Sequence, residues 1–499
     1  MRKDSGINGD AQRIEQMVWI IFLKVYDAQE MMWEDADPNY QSIIPEDLRW
    51  RNWAVHKDFE GKEIKDVKTD ELLLKFVNNT LFPVLRGQDS DDKKYKGVRV
   101  TTNTPMHKTI VREVFQEVNQ YMKNGVLLRQ MINAIDDIDL LDTDDSHAFG
   151  AIYEKILKDL QSAGNAGEFY TPRAVTDFMI GRLNPQLGET VGDFAMGTGG
   201  FLISALEHMR KQCVKPEDYH LWQQSIVGQE WKPFPYLLAV TNVLLHEIKD
   251  PQLYHMDSLS SSMSDYEEKG KVNVIAMNPP YGGATSNSTK KNFKQEFRSS
   301  ETADLFMVLI MQRLAENGRA GVVVPDGFLF GTDGAKRAIK EQLLRRFRLH
   351  TIIRLPGSVF APYTSIATNI LFFDNNADDD APEGFCTART WFYRLDMPEG
   401  MLHFNKSQSI RLEHFNPVCE WWDNRKELDE SEKARCIRVE ELMQNGCSFD
   451  QCKFPKEEEE VLRPEELLKK YHEERSALDA KIDAQLREIE SILGIKIDA

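Results

Sequence analysis

The residues with the clearest chemical potential stand together in Val274–Gly283, which reads VIAMNPPYGG. An apolar run ends at Asn278, and Pro279, Pro280 and Tyr281 follow it. Proline fixes φ and has no N–H to donate, so the amide and the phenol ring are held in set positions at the end of a strand. The amide oxygen of Asn278 and the backbone carbonyl of Pro279 can together accept both hydrogens of a planar –NH2 group.

Such a pair of acceptors can activate an amine that is conjugated to an aromatic base. The lone pair of this amine is delocalised, and fixing its hydrogens out of plane frees the lone pair for attack. Tyr281 can stack on the base, which has to leave a duplex to reach the pocket at a cost of about a few kcal/mol. The stretch therefore predicts chemistry on the amine of a flipped-out base. A merely structural proline turn would explain neither the Asn nor the Tyr.

A glycine-rich turn lies upstream, where the predicted strand Thr190–Phe194 runs into GDFAMGTGGFL. Glycines at a strand-to-helix turn let the backbone approach a ligand at the positive end of the following helix. The candidate residues of this turn are Asp193, Gly197, Gly199 and Gly200. The next two strand regions end in VGQEW and YHMDSL, which place Glu230 and Asp257 at the same edge. These acids suit a nucleoside, because Glu230 can accept hydrogen bonds from ribose hydroxyls.

Other chemistries lack their motifs. The sequence contains no G-x-x-x-x-G-K-[ST] loop, which disfavours a P-loop ATPase, and no G-x-S-x-G or H-E-x-x-H stretch. The six cysteines are scattered, which favours reduced thiols in a cytoplasm. Cys447 and Cys452 form the only close pair, and no nearby histidine completes a zinc set, so no metal site is predicted.

An α/β domain has to position these residues. From about residue 188, short apolar strands alternate with helices, a pattern typical of a mainly parallel sheet whose ligands sit at the carboxyl ends of the strands. After Thr190–Phe194, the predicted strands are Ser225–Gln229, Val272–Met277, Ala320–Val324, His350–Leu355 and Thr368–Phe373. The predicted helices are one from Gly200, one through His246, Asp304–Glu316 and Gly334–Phe347.

Helical regions flank this domain, which we place at residues 151–455. Residues 1–150 are predicted to form a helical domain that opens with an amphipathic helix after an Asp10 cap. Its further predicted helices are Glu71–Leu85 and Lys108–Met122, and Ala151–Ser162 follows. Residues 456–499 repeat apolar residues at helical spacing, which predicts a coiled-coil-like tail for partner contact or for packing on its own domain. No signal peptide and no membrane segment are expected.

The charge balance bears on partners. The net charge is −18, with 80 acidic and 62 basic residues, whereas a chain that grips DNA alone normally has a basic surface. If the chain acts on nucleic acid, a partner is expected to supply much of the grip. The connection Gly282–Glu301 is rich in Ser, Asn, Lys and Arg, and the sequence leaves open whether it orders on DNA or is a flexible linker.

The combination of NPPY with DFAMGTGGFL resembles the amino-group DNA methyltransferases that use S-adenosylmethionine. AGEFYTPRAV (Ala166–Val175), RLPGSVFAPYTSIATNILFF, the helical N-terminal domain and the helical tail resemble the modification subunit of type I restriction–modification systems. The resemblance covers nearly the whole chain. It implies a Rossmann-like S-adenosylmethionine-dependent methyltransferase fold and methylation of adenine N6 in double-stranded DNA. It also implies three partners: a separate specificity subunit, a restriction motor-nuclease subunit and a second copy of the chain.

The resemblance also implies roles for individual residues. Asn278, Pro279, Pro280 and Tyr281 match the catalytic motif, and Phe360 matches an aromatic that packs on the flipped adenine. The residues that match cofactor-binding positions are Glu168, Phe169, Tyr170, Thr171, Pro172, Asp193, Gly197, Thr198, Gly199, Gly200, Glu230 and Asp257. The chain departs from the usual Asp-Pro-Ala-Cys or Asp-Pro-Ala-Ala turn at Phe194 and Met196, and Met196 is the residue that could crowd the cofactor.

Two other functions stay open at this point. Asn-Pro-Pro-Tyr also occurs in enzymes that methylate glutamine amides of proteins or bases of RNA. A non-catalytic assembly subunit that has lost cofactor binding through Phe194 and Met196 is the third hypothesis. Cytosine C5 chemistry is disfavoured because the sequence has no Pro-Cys, and N4 chemistry because those enzymes more often have Ser at the position of Asn278.

Overall fold

The fold is taken from a computed structural model. It describes residues 3–58, 60–65, 67–140, 150, 153–158, 170–262, 270–281, 283, 285–332, 334–361, 363–364, 366–405, 407–429, 432–452, 471–472 and 475–476. Residues Met1–Lys453 form one compact unit and Phe454–Ala499 a second. The predicted tail falls almost entirely outside the described residues, as does much of the predicted helix Ala151–Ser162, of which 153–158 are helical.

Helices make up the first part of the chain. They are α1 (Gly9–Ala36), α2 (Trp50–Trp53), α3 (Asp70–Phe76), α4 (Phe82–Leu85), α5 (Met106–Phe115) and α6 (Gly125–Asp136). The predicted opening helix is confirmed, but its cap is Asn8, so the prediction of Asp10 was wrong. Asp10 instead lies in the first turn, where a carboxylate favours the positive end of the helix. The predicted helix Glu71–Leu85 is divided by a π-helical turn at Val77–Leu81.

Nine strands of the described residues form one sheet, in the order β3-β2-β1-β4-β5-β7-β6-β8-β9. They are β1 (Val191–Asp193), β2 (Ile226–Glu230), β3 (Gln252–His255), β4 (Val272–Met277), β5 (Leu314–Pro325), β6 (Arg348–Arg354), β7 (Thr368–Asp374), β8 (Arg389–Arg394) and β9 (Ala434–Arg438). Strands β7 and β9 run antiparallel to their neighbours, and all other pairs are parallel. The predicted mainly parallel α/β fold is confirmed.

Helices connect the strands and cover the sheet. They are α7 (Arg173–Leu183), α8 (Gly200–Arg210), α9 (Pro216–Gln223), α10 (Pro233–Leu245), α11 (Asn287–Lys291), α12 (Thr302–Arg313), α13 (Asp326–Phe330), α14 (Gly334–Arg346), α15 (Asn416–Asp423) and α16 (Val439–Gln444). In the ranges given above, no helix is both long enough and apolar enough to cross a bilayer.

The N-terminal helices pack directly on the sheet region. Helix α1 lies against α10, and its stretch Val18–Tyr26 is largely buried. Polar contacts join the same regions, since Tyr236 donates a hydrogen bond to Glu113 at 2.8 Å. The division into domains at residues 150 and 455 stays a prediction.

Candidate functional site

The glycine turn begins where β1 ends at Asp193 and stops where α8 starts at Gly200. Gly197 and Gly199 have φ values of 53° and 81°, a backbone conformation that favours glycine. The N–H of Gly199 closes the turn on the Met196 carbonyl at 2.7 Å. The first amide groups of α8 have no partner within their own helix, so this terminus is suited to polar or negative groups of a ligand.

Two buried carboxylates lie at the ends of the neighbouring strands β1 and β2. Glu230 accepts hydrogen bonds from the backbone N–H of Gly197 at 3.0 Å and of Lys232 at 2.8 Å, so it ties the glycine turn to β2. Asp193 is 1% exposed, and its carboxylate accepts from the N–H of Ala195 at 3.1 Å. Burial is the main reason that the pKa of Asp193 is raised to about 8; the N–H of Ala195 lowers it in part, and the charge of Glu230 adds a smaller increase that this value includes.

Burial also raises the pKa of Glu230, although the three backbone N–H groups at its carboxylate, from Lys232, Gly197 and Trp231, partly offset the effect. Burial thus disfavours the charged form of both carboxyl groups. A cationic ligand would stabilise that charged form, so the pair is a favourable site for a cation.

The Asn278 side chain follows β4, which pairs with β1 in parallel, so it comes to the same edge as the glycine turn. Its amide nitrogen donates to Thr171 Oγ1 at 3.2 Å, and its amide oxygen accepts from the Tyr281 hydroxyl. Among the described residues, no group donates to the backbone carbonyl of Pro279. The site therefore contains one free acceptor and one acceptor that Tyr281 occupies.

Tyr281 is half-buried beside Asn278. Burial raises the pKa of its phenol far above the usual range, the hydrogen bond with Asn278 lowers it, and the nearby Tyr363 raises it. The phenol is therefore a neutral hydrogen-bond donor at physiological pH.

One cleft joins the glycine turn to the Asn-Pro-Pro-Tyr motif. Its lining residues are Thr171, Asp193, Ala195, Met196, Gly197, Thr198, Gly200, Phe201 and Asn278. Six of the residues predicted from the sequence thus meet in one place: Thr171, Asp193, Gly197, Thr198, Gly200 and Asn278. The arrangement brings a turn suited to a nucleoside ligand into the same cleft as an amide suited to a planar amine.

Other predicted residues lie beside the cleft rather than on its lining. Asp257 follows β3, and its carboxylate accepts from the N–H of Leu259 at 2.9 Å. Phe360 is 4% exposed and belongs to the hydrophobic core. On the same turn Tyr363 is 37% exposed, and its N–H donates to the Phe360 carbonyl at 3.0 Å.

The segment before α7 is described only in part. Glu168 and Phe169 lie outside the described residues. Tyr170 packs against the core, and Pro172 caps α7. Thr171 between them reaches Asn278, a contact that joins residues 107 positions apart in the chain. Sequence reasoning had assigned Thr171 to the cofactor alone, so its contact with the amide is new.

The two departures from the usual turn both pack inward. Phe194 is 1% exposed, and its ring centre lies 4.0 Å from the guanidinium carbon of Arg313. Met196 lines the cleft, but its sulfur lies over Gly228 of β2, where an added Cβ would be 2.4 Å from it. A glycine on the sheet thus provides room for the larger side chain.

Trp231 is a residue that sequence reasoning missed. It directly follows Glu230 at the strand end, and its side chain is 66% exposed. Its carbonyl accepts a hydrogen bond from His255 Nε2 at 2.9 Å, which fixes the backbone at this point. An exposed indole beside a strand-end acid offers a flat surface for an aromatic base, and the VGQEW stretch contained that signal.

A mainly parallel sheet with a glycine turn after β1, an acid after β2 and Asn-Pro-Pro-Tyr after β4 defines the Rossmann-like methyltransferase class. The family model for N-6 DNA methylase matches residues 144–461. The methylase subunit of the type I restriction enzyme EcoEI of Escherichia coli is 42% identical over 497 residues, which are 98% of this chain and 95% of that protein. The EcoKI methylase subunit of Escherichia coli is 31% identical over 333 residues, 62% of this chain and 60% of that protein.

Solved structures agree. A modification subunit of a putative type I restriction enzyme from Vibrio vulnificus aligns with a TM-score of 0.72 and 37% identity, over 89% of this chain and 90% of that one. A chain from a study of complex assembly in the type I system aligns with a TM-score of 0.76 and 31% identity, over 98% and 96%. The chain therefore belongs to the N-6 DNA methylase family, among the type I modification subunits, and is an adenine-specific DNA methyltransferase. Membership implies a methyl-donor cofactor.

Proposed function

We propose that the chain transfers the methyl group of S-adenosylmethionine to N6 of an adenine that is flipped out of double-stranded DNA. The observation that carries this proposal is the shared cleft, which Asp193, the glycine turn and Asn278 line together. S-adenosylmethionine, when bound, supplies a methyl group on a positively charged sulfur. The buried carboxyl group of Asp193 lines this cleft, and Glu230 lies beside it, bonded to the N–H of Gly197; this pair of acids fits such a cation.

The cofactor-binding roles follow from the contacts described. Glu230 is the acceptor for the ribose hydroxyls, and its bond to the Gly197 N–H holds the turn in place around the ligand. Trp231 provides the surface for the cofactor adenine. Asp257, at the end of β3, serves the exocyclic amine of the same ring. The glycines Gly197, Gly199 and Gly200 keep the turn open to the ligand.

The target amine is held by Asn278 and Pro279. The Pro279 carbonyl accepts one N6 hydrogen, and the Asn278 amide oxygen accepts the other after the Tyr281 hydroxyl releases it. Thr171 keeps the amide in the required orientation, because the amide nitrogen donates to its hydroxyl. Tyr281 then stacks on the adenine, with Pro280 fixing its approach. Phe360 stays the proposed second aromatic, although its present burial requires the turn around it to move.

We propose that the chain works in a type I complex with a specificity subunit, a restriction motor-nuclease subunit and a second copy of itself. The net charge of −18 supports this division, since a partner with a basic surface would supply much of the affinity for DNA. A chain that methylates cellular DNA works in the cytoplasm, which is the compartment we propose.

The test uses the complex purified from its native cell through a tag on this chain. The complex is incubated with labelled S-adenosylmethionine and unmethylated double-stranded DNA, and the DNA is then digested to nucleosides. Label in N6-methyl-2′-deoxyadenosine with the wild type, lowered about 10²- to 10³-fold with Asn278→Ala, supports the proposal, because the lost acceptor acts on the transition state. Label on protein or RNA instead would contradict the DNA substrate. Absence of cofactor binding in calorimetry would indicate an assembly subunit.

A further inference from the structure

The connection between β4 and α12 concentrates positive charge in an acidic chain. Residues 285–300, called the basic platform here, contain four cations and one acid, Glu296, while the whole chain has a net charge of −18. The four cations are Lys290, Lys291, Lys294 and Arg298. Nothing in the methyl transfer described above uses them.

The basic platform is folded rather than a flexible linker. Ser286 caps α11, since its hydroxyl accepts from the N–H of Thr289 at 3.0 Å. Phe293 and Phe297 are 2% and 7% exposed and belong to a hydrophobic core below the platform. Thr285 Oγ1 closes the segment by donating to the Ser299 carbonyl at 2.9 Å. Two buried aromatic rings and a closed loop give the segment a defined shape.

Polar contacts fix this shape to the rest of the molecule. The Asn292 amide donates to the carbonyls of Leu259 at 2.8 Å and Ser260 at 3.0 Å, in the loop after β3. At the other end, Lys336 of α14 pairs with Glu301 at 2.7 Å and with the buried Asp304 at 2.8 Å. The two acids that follow the platform are thus paired with a lysine outside it.

The cations of the basic platform face solvent. Lys291, Lys294 and Arg298 are exposed, and Lys290 is partly exposed. Within the part of the chain that the structure describes, none of the four has a carboxylate at ion-pair distance. Arg298 also has a structural contact, because its Nε donates to the Phe293 carbonyl at 3.1 Å. The three lysines are therefore the charges available to a partner.

The platform lies at the edge of the sheet where the Asn-Pro-Pro-Tyr motif stands. Strands β4 and β5 are parallel, so the connection leaves β4 at its carboxyl end and α12 has to start at that same edge. The contacts of Asn292 with the loop after β3 agree with this placement. These folded lysines, which form no ion pair with any described residue, lie next to a site for a flipped-out base and suit the repeating negative charge of DNA.

We propose that the basic platform binds the phosphodiester backbone of DNA beside the flipped-out adenine. Lysine ammonium groups contact phosphates as point charges, so this surface positions the duplex and contributes nothing to the choice of sequence. Because the platform is folded before DNA arrives, binding does not have to order the segment. The inference rests on the proposed function and adds to it the surface of this chain that meets the nucleic acid.

The test compares two triple variants in the tagged, native complex. Lys290→Gln/Lys291→Gln/Lys294→Gln removes three charges from the platform. Lys211→Gln/Lys215→Gln/Lys249→Gln removes three exposed charges at the opposite edge, because α8 and α10 both run back from the carboxyl ends of the strands. Glutamine removes the charge and has a helix propensity close to that of lysine. The Kd for unmethylated duplex DNA is measured between 50 and 200 mM salt.

Three lysines that each neutralise one phosphate contribute about 2.7 to the slope of log Kd against log salt. The platform variant should therefore bind DNA more weakly at 50 mM salt, and its deficit should shrink by about 40-fold at 200 mM. The control variant should keep the wild-type slope. Cofactor affinity and the methylation rate at saturating DNA should not change in either variant, because no lysine of the platform lines the cleft.

Three results would overturn the inference. The platform variant could show the wild-type salt slope, or the control variant could lose as much slope as the platform variant. The variant complex could also purify without a partner subunit, which would make the platform a protein contact. A wild-type complex that binds DNA with the expected salt dependence but forms no N6-methyladenine would refute the proposed function alone and leave the platform in place.

Discussion

The edge of the sheet divides into two halves with opposite electrostatics. At the ends of β1 and β2, called the cofactor half, the carboxyl groups of Asp193 and Glu230 are 1% and 9% exposed. At the end of β4, called the target half, a neutral amide on Asn278 is followed by the exposed lysines of the basic platform. The two halves meet at Thr171, an uncharged residue whose hydroxyl oxygen accepts a hydrogen bond from the Asn278 amide nitrogen.

This difference indicates how an acidic chain can bind a cationic cofactor in the cleft and polyanionic DNA on the surface next to it. Buried acids favour a positive ligand strongly, since burial weakens the competition from water. Exposed lysines favour a polyanion weakly and in a salt-dependent manner. Changes in the cofactor half should therefore alter cofactor affinity alone, and changes in the target half should alter DNA affinity or turnover.

The largest effect expected in the cofactor half comes from Glu230→Gln. The substitution removes the charge of the carboxylate that accepts from the ribose hydroxyls. It also replaces one acceptor oxygen by an NH2 group that faces a backbone N–H. Cofactor affinity should fall by about ten- to a hundredfold, as expected for a hydrogen bond to a charged group. Calorimetry with S-adenosylmethionine measures the loss, with the exposed Glu217→Gln as control. Equal loss of DNA affinity would break the division between the halves.

A second change tests whether Met196 faces the sheet or the cofactor. Gly228→Ala places a methyl group 2.4 Å from the Met196 sulfur and 2.8 Å from Leu253, so it should destabilise the fold by about 1–3 kcal/mol. The same change should lower the midpoint of thermal unfolding less in a Met196→Ala background, because the main clash is gone. Much tighter cofactor binding by Met196→Ala alone would instead mean that the sulfur crowds the cofactor.

The smallest expected effect comes from Thr171, the residue at which the two halves meet. Thr171→Val removes the hydroxyl that orients the Asn278 amide while keeping the shape of the side chain, and Thr171→Ser keeps the hydroxyl. The valine variant should lose about three- to tenfold in kcat, the range of one neutral hydrogen bond. Its cofactor affinity should stay close to that of the serine variant. A fall in cofactor affinity with unchanged kcat would mean that Thr171 binds the cofactor and does not orient the Asn278 amide.

Much of the scaffold could be predicted because strands and helices leave strong local signals. Val272–Met277 was predicted with its correct bounds, since an apolar β-branched run ends abruptly at Asn278 and two prolines. The glycine turn was predicted because glycine, aspartate and the following apolar helix stand in sequence. These signals depend only on neighbouring residues.

Other elements depend on partners that the sequence does not name. Strand β5 begins at Leu314, where the predicted helix Asp304–Glu316 was to continue, because Leu314 pairs with Val272 across a register shift. Strand β7 inserts antiparallel between β5 and β6. The alternation of side chains along a strand does not show in which direction the strand runs in the sheet, so this could not be predicted. The bond between Thr171 and Asn278 was hidden for the same reason, since it exists only after the chain has folded.

The most direct test of the central claim is whether cofactor binding releases a proton from the buried carboxyl pair. The pKa of Asp193 is about 8 in the free chain, so this group is mostly protonated at pH 7. A cation beside it favours the carboxylate, so binding should release a proton, and affinity should rise as pH increases from 6 to 7.5. Above about pH 7.7 the amino group of the cofactor itself loses its charge.

Calorimetry of S-adenosylmethionine binding at pH 7, in two buffers with different ionisation enthalpies, measures this release. The account predicts a buffer-dependent heat in the wild type and a buffer-independent heat in Asp193→Asn. Equal heats in the two buffers for the wild type, with affinity constant from pH 6 to 7.5, would contradict the claim that the buried acids of the cofactor half serve a cationic ligand.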